Sequence, residues 1–512
     1  MKKNTLLLIC SFLAGMFVMA QTANTKNNNK TISKPEKSAE VKNAKPVFSF
    51  TNDVLPDSSF RVRLTTPSYK EGLAYLCYHF GKNLNIEDSA YIDDKGEATF
   101  SGNRLLLGGI YAIVFPGKSV TFDFFVDKNQ DISIYADVND LQNVVIKGSD
   151  ENKLFRDYQK FIMVKGGMLQ DARTSYASAT NKSDSAFHEA RYSAVNKEMN
   201  DYRDSIMKNH SASMMALFLN AMREPEIIHK QPKTRQDSID NYDNYKAHYF
   251  DGITFRDERV LRTPFFMPKF EKYYNDIIIQ AADTLIKDID YRLLLARTCP
   301  EMYRFLLNWY TDYYLNPKYM GHDAVFVHLF EKYHSKGLSN WLNEKQMETI
   351  TRRAYMQMAN LLGAQGSNLE MVDSSGKRTD LYDVKADYTL ICFWDPSCGH
   401  CKEELPRIDS IYRASWKKKG VKIYAVLNDH EKKKDWVNYI KEHKMGDWLH
   451  VYETPEKEKE ISDSKRPSYR QLYDVTQTPT ILMLDKDKRI IGKRLSFLQL
   501  NDMLEARMKN TK

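Results

Sequence analysis

The stretch CFWDPSCGHCKEELP, Cys392 to Pro406, carries two cysteines two residues apart, between an apolar run and a helix-forming segment. The run before it, DYTLICFW (Asp387–Trp394), is long enough for a buried strand and too short for a buried helix. The segment after it, Glu403–Trp416, has helical spacing. Cys398 therefore falls where a strand ends and a helix begins. Unpaired backbone N–H groups and the helix dipole favour a thiolate there. Cys401, one helical turn deeper, is close enough to close a disulfide. The pattern predicts thiol–disulfide exchange, with Cys398 as the attacking thiol and Cys401 as the resolving thiol. Gly399 is expected to let the turn pack tightly. His400, between the cysteines, is expected to stabilise the thiolate electrostatically and so favour the reduced pair.

Working outward, the chain from residue 366 to 512 alternates strands and helices. Val421–Leu427 reads as a second buried strand, Asp435–His443 as a helix, Trp448–Tyr452 as a strand and Ser468–Tyr473 as a short helix. Thr480–Leu484 and Arg489–Leu495 form a hairpin about the Asp485–Lys488 turn, and Leu498–Met508 closes as a helix. This is an α/β sheet with helices on its faces. Thr478-Pro479 opens a buried strand after a loop, a place where a cis bond can occur. Facing the cysteines, it would hold a partner's extended backbone beside Cys398. Trp394, Pro396, Thr478 and Pro479 are the expected substrate-binding residues. No metal site is expected, because zinc would want two further close ligands. No cofactor is called for. A purely structural disulfide is the competing use of the pair, and Cys392 reads as a small buried hydrophobe.

The remaining sequence is of two kinds. Residues 48–150 contain period-two runs such as VTFDFFVD (Val120–Asp127), and YIDDKGEATFSG (Tyr91–Gly102) reads as strand, turn, strand about Asp94, Lys95 and Gly96. An all-β sandwich or barrel, antiparallel, is expected there. From 151 to 365 the period becomes helical, with Leu154, Phe155, Tyr158 and Phe161 on one stripe and a long polar helix over Ala172–Asn209. This predicts a central all-α domain. Its His322, Asp323 and His328 resemble half a ligand set, but ordinary packing histidines are the expected use.

At the front, Lys2 and Lys3 precede an apolar run from Leu6 to Met19, with small residues at Val18 and Ala20. Residues 1–20 read as a secretory signal peptide and 21–47, rich in Lys, Asn and Thr, as a flexible linker. The expected location is the periplasm or extracytoplasmic envelope. An exported chain of 512 residues with six cysteines is not stapled by disulfides. Cys77 and Cys299 read as apolar-face residues, with a long-range bridge between them left open. The formal charge of +8 is spread along the chain, and no basic stripe with interleaved aromatics points to nucleic acid.

Residues 366–512 resemble the thioredoxin superfamily, and within it the TlpA/ResA-like extracytoplasmic oxidoreductases. The resemblance rests on Phe393-Trp394, CGHC at 398–401, KEELP at 402–406, Thr478-Pro479-Thr480 and the LDKDKRII ending. The whole chain resembles a multidomain architecture common in Bacteroidota, with GSDENKLFRDYQKF (Gly148–Phe161) and Tyr319–His328 as its other marks. The resemblance implies a thioredoxin-like fold, protein clients with disulfides, and a membrane-bound thiol donor. It also implies a catalytic role for Glu404, one turn past Cys401, because the buried acid of thioredoxins is replaced here by Cys392. His400 stands where many relatives have proline, and CGHC resembles the pair of protein disulfide isomerase, which leaves the direction of electron flow open. The front two domains would select clients or mediate self-association as a homo-oligomer. The alternative is a binding or structural envelope protein in which the redox domain is auxiliary.

Overall fold

The computed structural model describes residues 58–510 apart from Ser119. The expected signal peptide and linker lie outside the described residues. The chain divides into two compact units at residues 278 and 279.

The first unit opens with eight strands: β1 (Phe60–Thr65), β2 (Gly72–Phe80), β3 (Asn83–Ile92), β4 (Glu97–Gly102), β5 (Gly109–Val114), β6 (Thr121–Val126), β7 (Asp131–Tyr135) and β8 (Val145–Lys147). They form two four-stranded sheets, ordered β4-β1-β7-β8 and β3-β2-β5-β6. Alternating residues such as Val62, Leu64, Leu76, Phe122, Phe124, Ile132 and Ile134 meet between the sheets. The expected sandwich is present, with two differences. The β1–β7 pair is parallel rather than antiparallel. The Asp94–Gly96 turn does not close a hairpin: β3 pairs with β2 while β4 pairs with β1, so the bend carries the chain from one sheet to the other.

A helix at Asp150–Ser178 follows, started by the GSDEN motif. Gly148 has φ +82, and a β-carbon there would strike the Asp131 carbonyl oxygen. The Ser149 side chain caps the helix by accepting from the Asn152 N–H. Asn152 is fully buried, and its amide exchanges two 2.7 Å hydrogen bonds with the backbone N–H and C=O of Phe125 in β6. It thereby locks the helix to the sandwich. A second long helix, Lys182–Asn209, starts from the Asn181 cap. The expected helix over 172–209 is thus interrupted at 179–181.

The second unit begins with helices and ends in the α/β domain. Helices Ala282–Leu295, Pro300–Leu315, His322–Leu329 and Glu344–Met358 fall here, so the helical stretch from 151 to 365 contributes to both units. The α/β domain is a six-stranded sheet of β9 (Val372–Asp373), β10 (Tyr388–Trp394), β11 (Val421–Leu427), β12 (Leu449–Tyr452), β13 (Thr480–Asp485) and β14 (Ile490–Lys493), ordered β14-β13-β10-β11-β12-β9. The three strands β10, β11 and β12 are parallel, β13 runs antiparallel beside β10, and β14 pairs antiparallel with β13 at the sheet edge. β10 is central and its side chains sort by parity. Leu390, Cys392 and Trp394 face the layer that holds Cys401, Leu405 and Ile408, whereas Ile391 and Phe393 face Tyr469 and Tyr473. This predominantly apolar run is what a strand covered on both faces requires.

Candidate active site

The β10 strand ends at Trp394, and the next four residues turn the chain into the helix Gly399–Ala414, whose N-cap is Cys398. An acid in that turn sets its shape. Asp395 accepts from the Ser397 backbone N–H at 2.7 Å and hydroxyl at 2.6 Å, and its own carbonyl accepts from the Cys398 N–H at 3.2 Å. Lys432 donates to Asp395 Oδ2 at 2.7 Å and to Ser397 Oγ at 2.8 Å. Burial pushes the Asp395 carboxyl up, but the Lys432 and Ser397 hydrogen bonds outweigh it, and the group lies below the usual carboxylate range.

The helix then buries Cys401, Leu405, Ile408 and Tyr412, a stripe at spacings of four and three. The two cysteines consequently differ. Cys398 is half-buried and Cys401 is 1% exposed, and both are free thiols. Across from them, the loop before β13 brings in Thr478-Pro479, whose peptide bond is cis. As a thiol, Cys398 Sγ donates to the Thr478 carbonyl oxygen at 3.2 Å. Partial burial pushes the Cys398 thiol up. Hydrogen bonds from the Thr478 side chain, from Cys401 and from the His400 backbone N–H overcome this and bring it below the ordinary value. For Cys401 burial prevails, pushing the thiol up to about 12, and the Cys398 sulfur adds to the rise. The arrangement offers one accessible nucleophile with one protonated thiol behind it.

The other expected residues fall in different places. Thr478 and Pro479 are half-buried and adjoin Cys398. Trp394 and Pro396 are buried, so neither offers a surface to a client in this structure. The Trp394 ring instead packs 5.3 Å from that of Tyr439, as its parity on a doubly covered strand dictates. The ring of His400 is exposed, and it is the backbone N–H of this residue that reaches the Cys398 sulfur. Glu404 is about one-third exposed and its carboxylate accepts from Arg407 at 3.3 Å. The tight packing expected of Gly399 is absent: a β-carbon there would meet no atom within 4 Å. Cys392 is fully buried, and desolvation with the neighbouring Cys401 pushes its thiol far up. Cys77 and Cys299 are each buried. His328 bonds Asp290 at 2.9 Å and Asp323 pairs with Lys493, so these side chains belong to polar networks. Among the described residues, no three His, Cys, Asp or Glu side chains are grouped to hold a metal ion.

Two parts of the site were missed from sequence. Asp395 was detectable, because an Asp two residues before Ser in a Pro-containing turn is an Asx-turn pattern. Lys432 follows a different strand and carried no local signal.

A doubly covered sheet of this topology, presenting a closely spaced cysteine pair at a helix N-terminus, defines a thiol–disulfide oxidoreductase. Residues 386–490 match the thioredoxin-like family, and residues 59–155 match a domain of unknown function (DUF4369). The thiol-disulfide oxidoreductase ResA of a Bacillus cereus strain is 26% identical over 132 residues, which is 26% of this chain and 68% of that protein. ResA of Bacillus subtilis (strain 168) is 28% identical over 129 residues, covering 25% of this chain and 64% of that protein. A thioredoxin-like protein from Bacteroides caccae ATCC 43185 superposes on 56% of this chain and 98% of its own, at 20% identity and a TM-score of 0.44. The chain is a multidomain protein of the thioredoxin superfamily, related at low identity to ResA-like proteins.

Proposed function

We propose that the protein is an exported oxidoreductase that exchanges disulfides with protein clients through its CGHC pair, in the manner of TlpA/ResA-like proteins. The observation that carries this is the asymmetry of the pair. Cys398, half-buried and lowered, faces Thr478-Pro479, and Cys401 is buried with its thiol at about 12. In the reducing direction the Cys398 thiolate attacks one sulfur of a client disulfide, and the client's other sulfur leaves as a thiolate. Cys401 then loses its proton and attacks Cys398 Sγ, closing the Cys398–Cys401 disulfide and releasing the client as a dithiol. Two electrons pass to the client and are restored by a thiol donor, which we take to be membrane-bound. Thr478 and Pro479 hold the client backbone, and Glu404 assists Cys401 when its carboxylate swings away from Arg407. The periplasmic or envelope location rests on Lys2, Lys3 and the Leu6–Met19 run. Self-association would fall to the front domains.

Insulin reduction tests the reading. Cys398→Ser should abolish turnover, and Cys401→Ser should accumulate a mixed disulfide with the client. A wild-type pair that neither reduces insulin nor forms an adduct would overturn it. The reduction potential of the pair then separates a reductase, near thioredoxin's value, from an isomerase or oxidase, near that of protein disulfide isomerase.

A further inference from the structure

Beside Pro479 lies a polar concavity of about 330 Å³, walled by Pro479, Thr480, Lys318 and Arg494. Lys318 comes from the segment between helices Pro300–Leu315 and His322–Leu329, and Arg494 directly follows β14. The floor is built of the buried polar side chains Asn360, Asp474 and Lys493, which are 2%, 7% and 5% exposed.

The charges around the cavity do not cancel. Lys493 donates to the carbonyl and amide oxygens of Asn360, at 2.5 and 2.7 Å, and its ammonium forms an ion pair with Asp323. Asp474 accepts from both Arg353 and Arg494. Arg494 otherwise donates to the Pro317 carbonyl at 3.3 Å, so two of its five N–H bonds are placed. Lys318 is exposed with its ammonium 5.4 Å from the Tyr313 ring centroid, and no carboxylate of the described residues pairs with it. Four cations, Lys318, Arg353, Lys493 and Arg494, thus face two carboxylates, Asp323 and Asp474. The surplus sits at the mouth on Lys318 and Arg494.

The mouth is one residue from the chemistry. Thr478, whose carbonyl touches Cys398 Sγ, is bonded to Pro479 on the cavity rim. An extended client lying along this loop advances about 3.3 Å per residue, so side chains within about three residues of its cysteine come within reach of the mouth. We infer that the cavity takes a carboxylate side chain of the client, an Asp or Glu near the client cysteine, between Lys318 and Arg494. The inference rests on the oxidoreductase reading and adds a substrate preference to it.

The experiment uses one peptide disulfide in three forms, with Glu, Gln or Lys two residues from the cysteine, and the uncharged 2-hydroxyethyl disulfide. With the full-length protein at low salt, kcat/KM should fall in the order Glu, Gln, Lys, with the Glu form favoured over the Lys form by about tenfold. High salt should shrink that ratio. Lys318→Met should reduce it and Lys318→Glu should abolish or invert it. A wild-type ratio within twofold, or a ratio unchanged in Lys318→Glu, would overturn the inference. If none of the four disulfides is reduced, it is the oxidoreductase reading that fails. The cavity is then judged by binding of the S-methylated peptides: tighter binding of the Glu form, lost in Lys318→Glu, upholds it, and equal binding rejects it.

Discussion

Arg353 and Asp474 form a two-pronged ion pair that ties the helix Glu344–Met358 to the loop leading into Thr478-Pro479. Their side chains are 12% and 5% exposed. Asp474 sits in the left-handed region at φ +53, and it also accepts from Arg494 at 2.8 Å. The helical segment therefore helps position the loop that faces Cys398. Arg353→Ala leaves a buried carboxylate with one cation instead of two. Its cost should lie at or below the lower end of the roughly 3–5 kcal/mol typical of a broken buried pair, because Arg494 remains. Urea unfolding measures the loss. A drop in insulin reduction larger than the folded fraction explains would mark the loop as displaced.

The split between the two active-site thiols predicts their alkylation. With the reduced protein, iodoacetamide should modify one thiol of the pair rapidly, with a midpoint below that of a free cysteine, and peptide mapping should place it at Cys398. Cys401, near 12, should stay unmodified under native conditions. Rapid labelling retained in Cys398→Ser would refute the assignment.

Two buried histidines make the second unit acid-sensitive. His334 bonds Thr311 and Ser339, each at 2.8 Å, and His450 bonds the Met445 carbonyl at 2.8 Å. Burial lowers both to about 4. The unfolded chain protonates first, near 6.5, so it binds more protons between about 6.5 and about 4, and stability falls as pH drops through that window. The loss should reach on the order of 3 kcal/mol per histidine near pH 4. Unfolding free energy measured from pH 7 to 4 checks this, and His450→Gln should flatten its share of the slope.

Cys392 offers a control on the chemistry. It lies fully buried in the layer that holds Cys401. As a packing residue, Cys392→Ala should cost about 1 kcal/mol and leave insulin reduction within twofold of wild type. A large loss of turnover in a folded Cys392→Ala variant would assign it a redox part.

What the sequence disclosed and what it concealed follow from the range of the interactions. The apolar β10 run, the cysteine spacing and the Asp485–Lys488 hairpin are local patterns, and each lies where its pattern places it. The parallel β1–β7 pair joins segments about 70 residues apart and has no local sign. The Asp94–Gly96 bend reads the same whether its strands pair or part company. Trp394 looks like a contact residue because it adjoins the motif, but strand parity turns it inward. Lys432, Arg353 and Arg494 reach their partners across the fold, so no periodicity announces them.

The Lys493 ammonium at the end of β14 is held by Asp323 and by Asn360, both from the helices that precede the sheet. A gene fragment starting at residue 366 would keep this buried cation, and Asp474 with it, while discarding Asp323, Asn360 and Arg353. The redox domain of this chain is therefore not an interchangeable cassette. Any recombination that moves it to a new neighbour must carry the preceding helices along or repaint that wall in apolar residues.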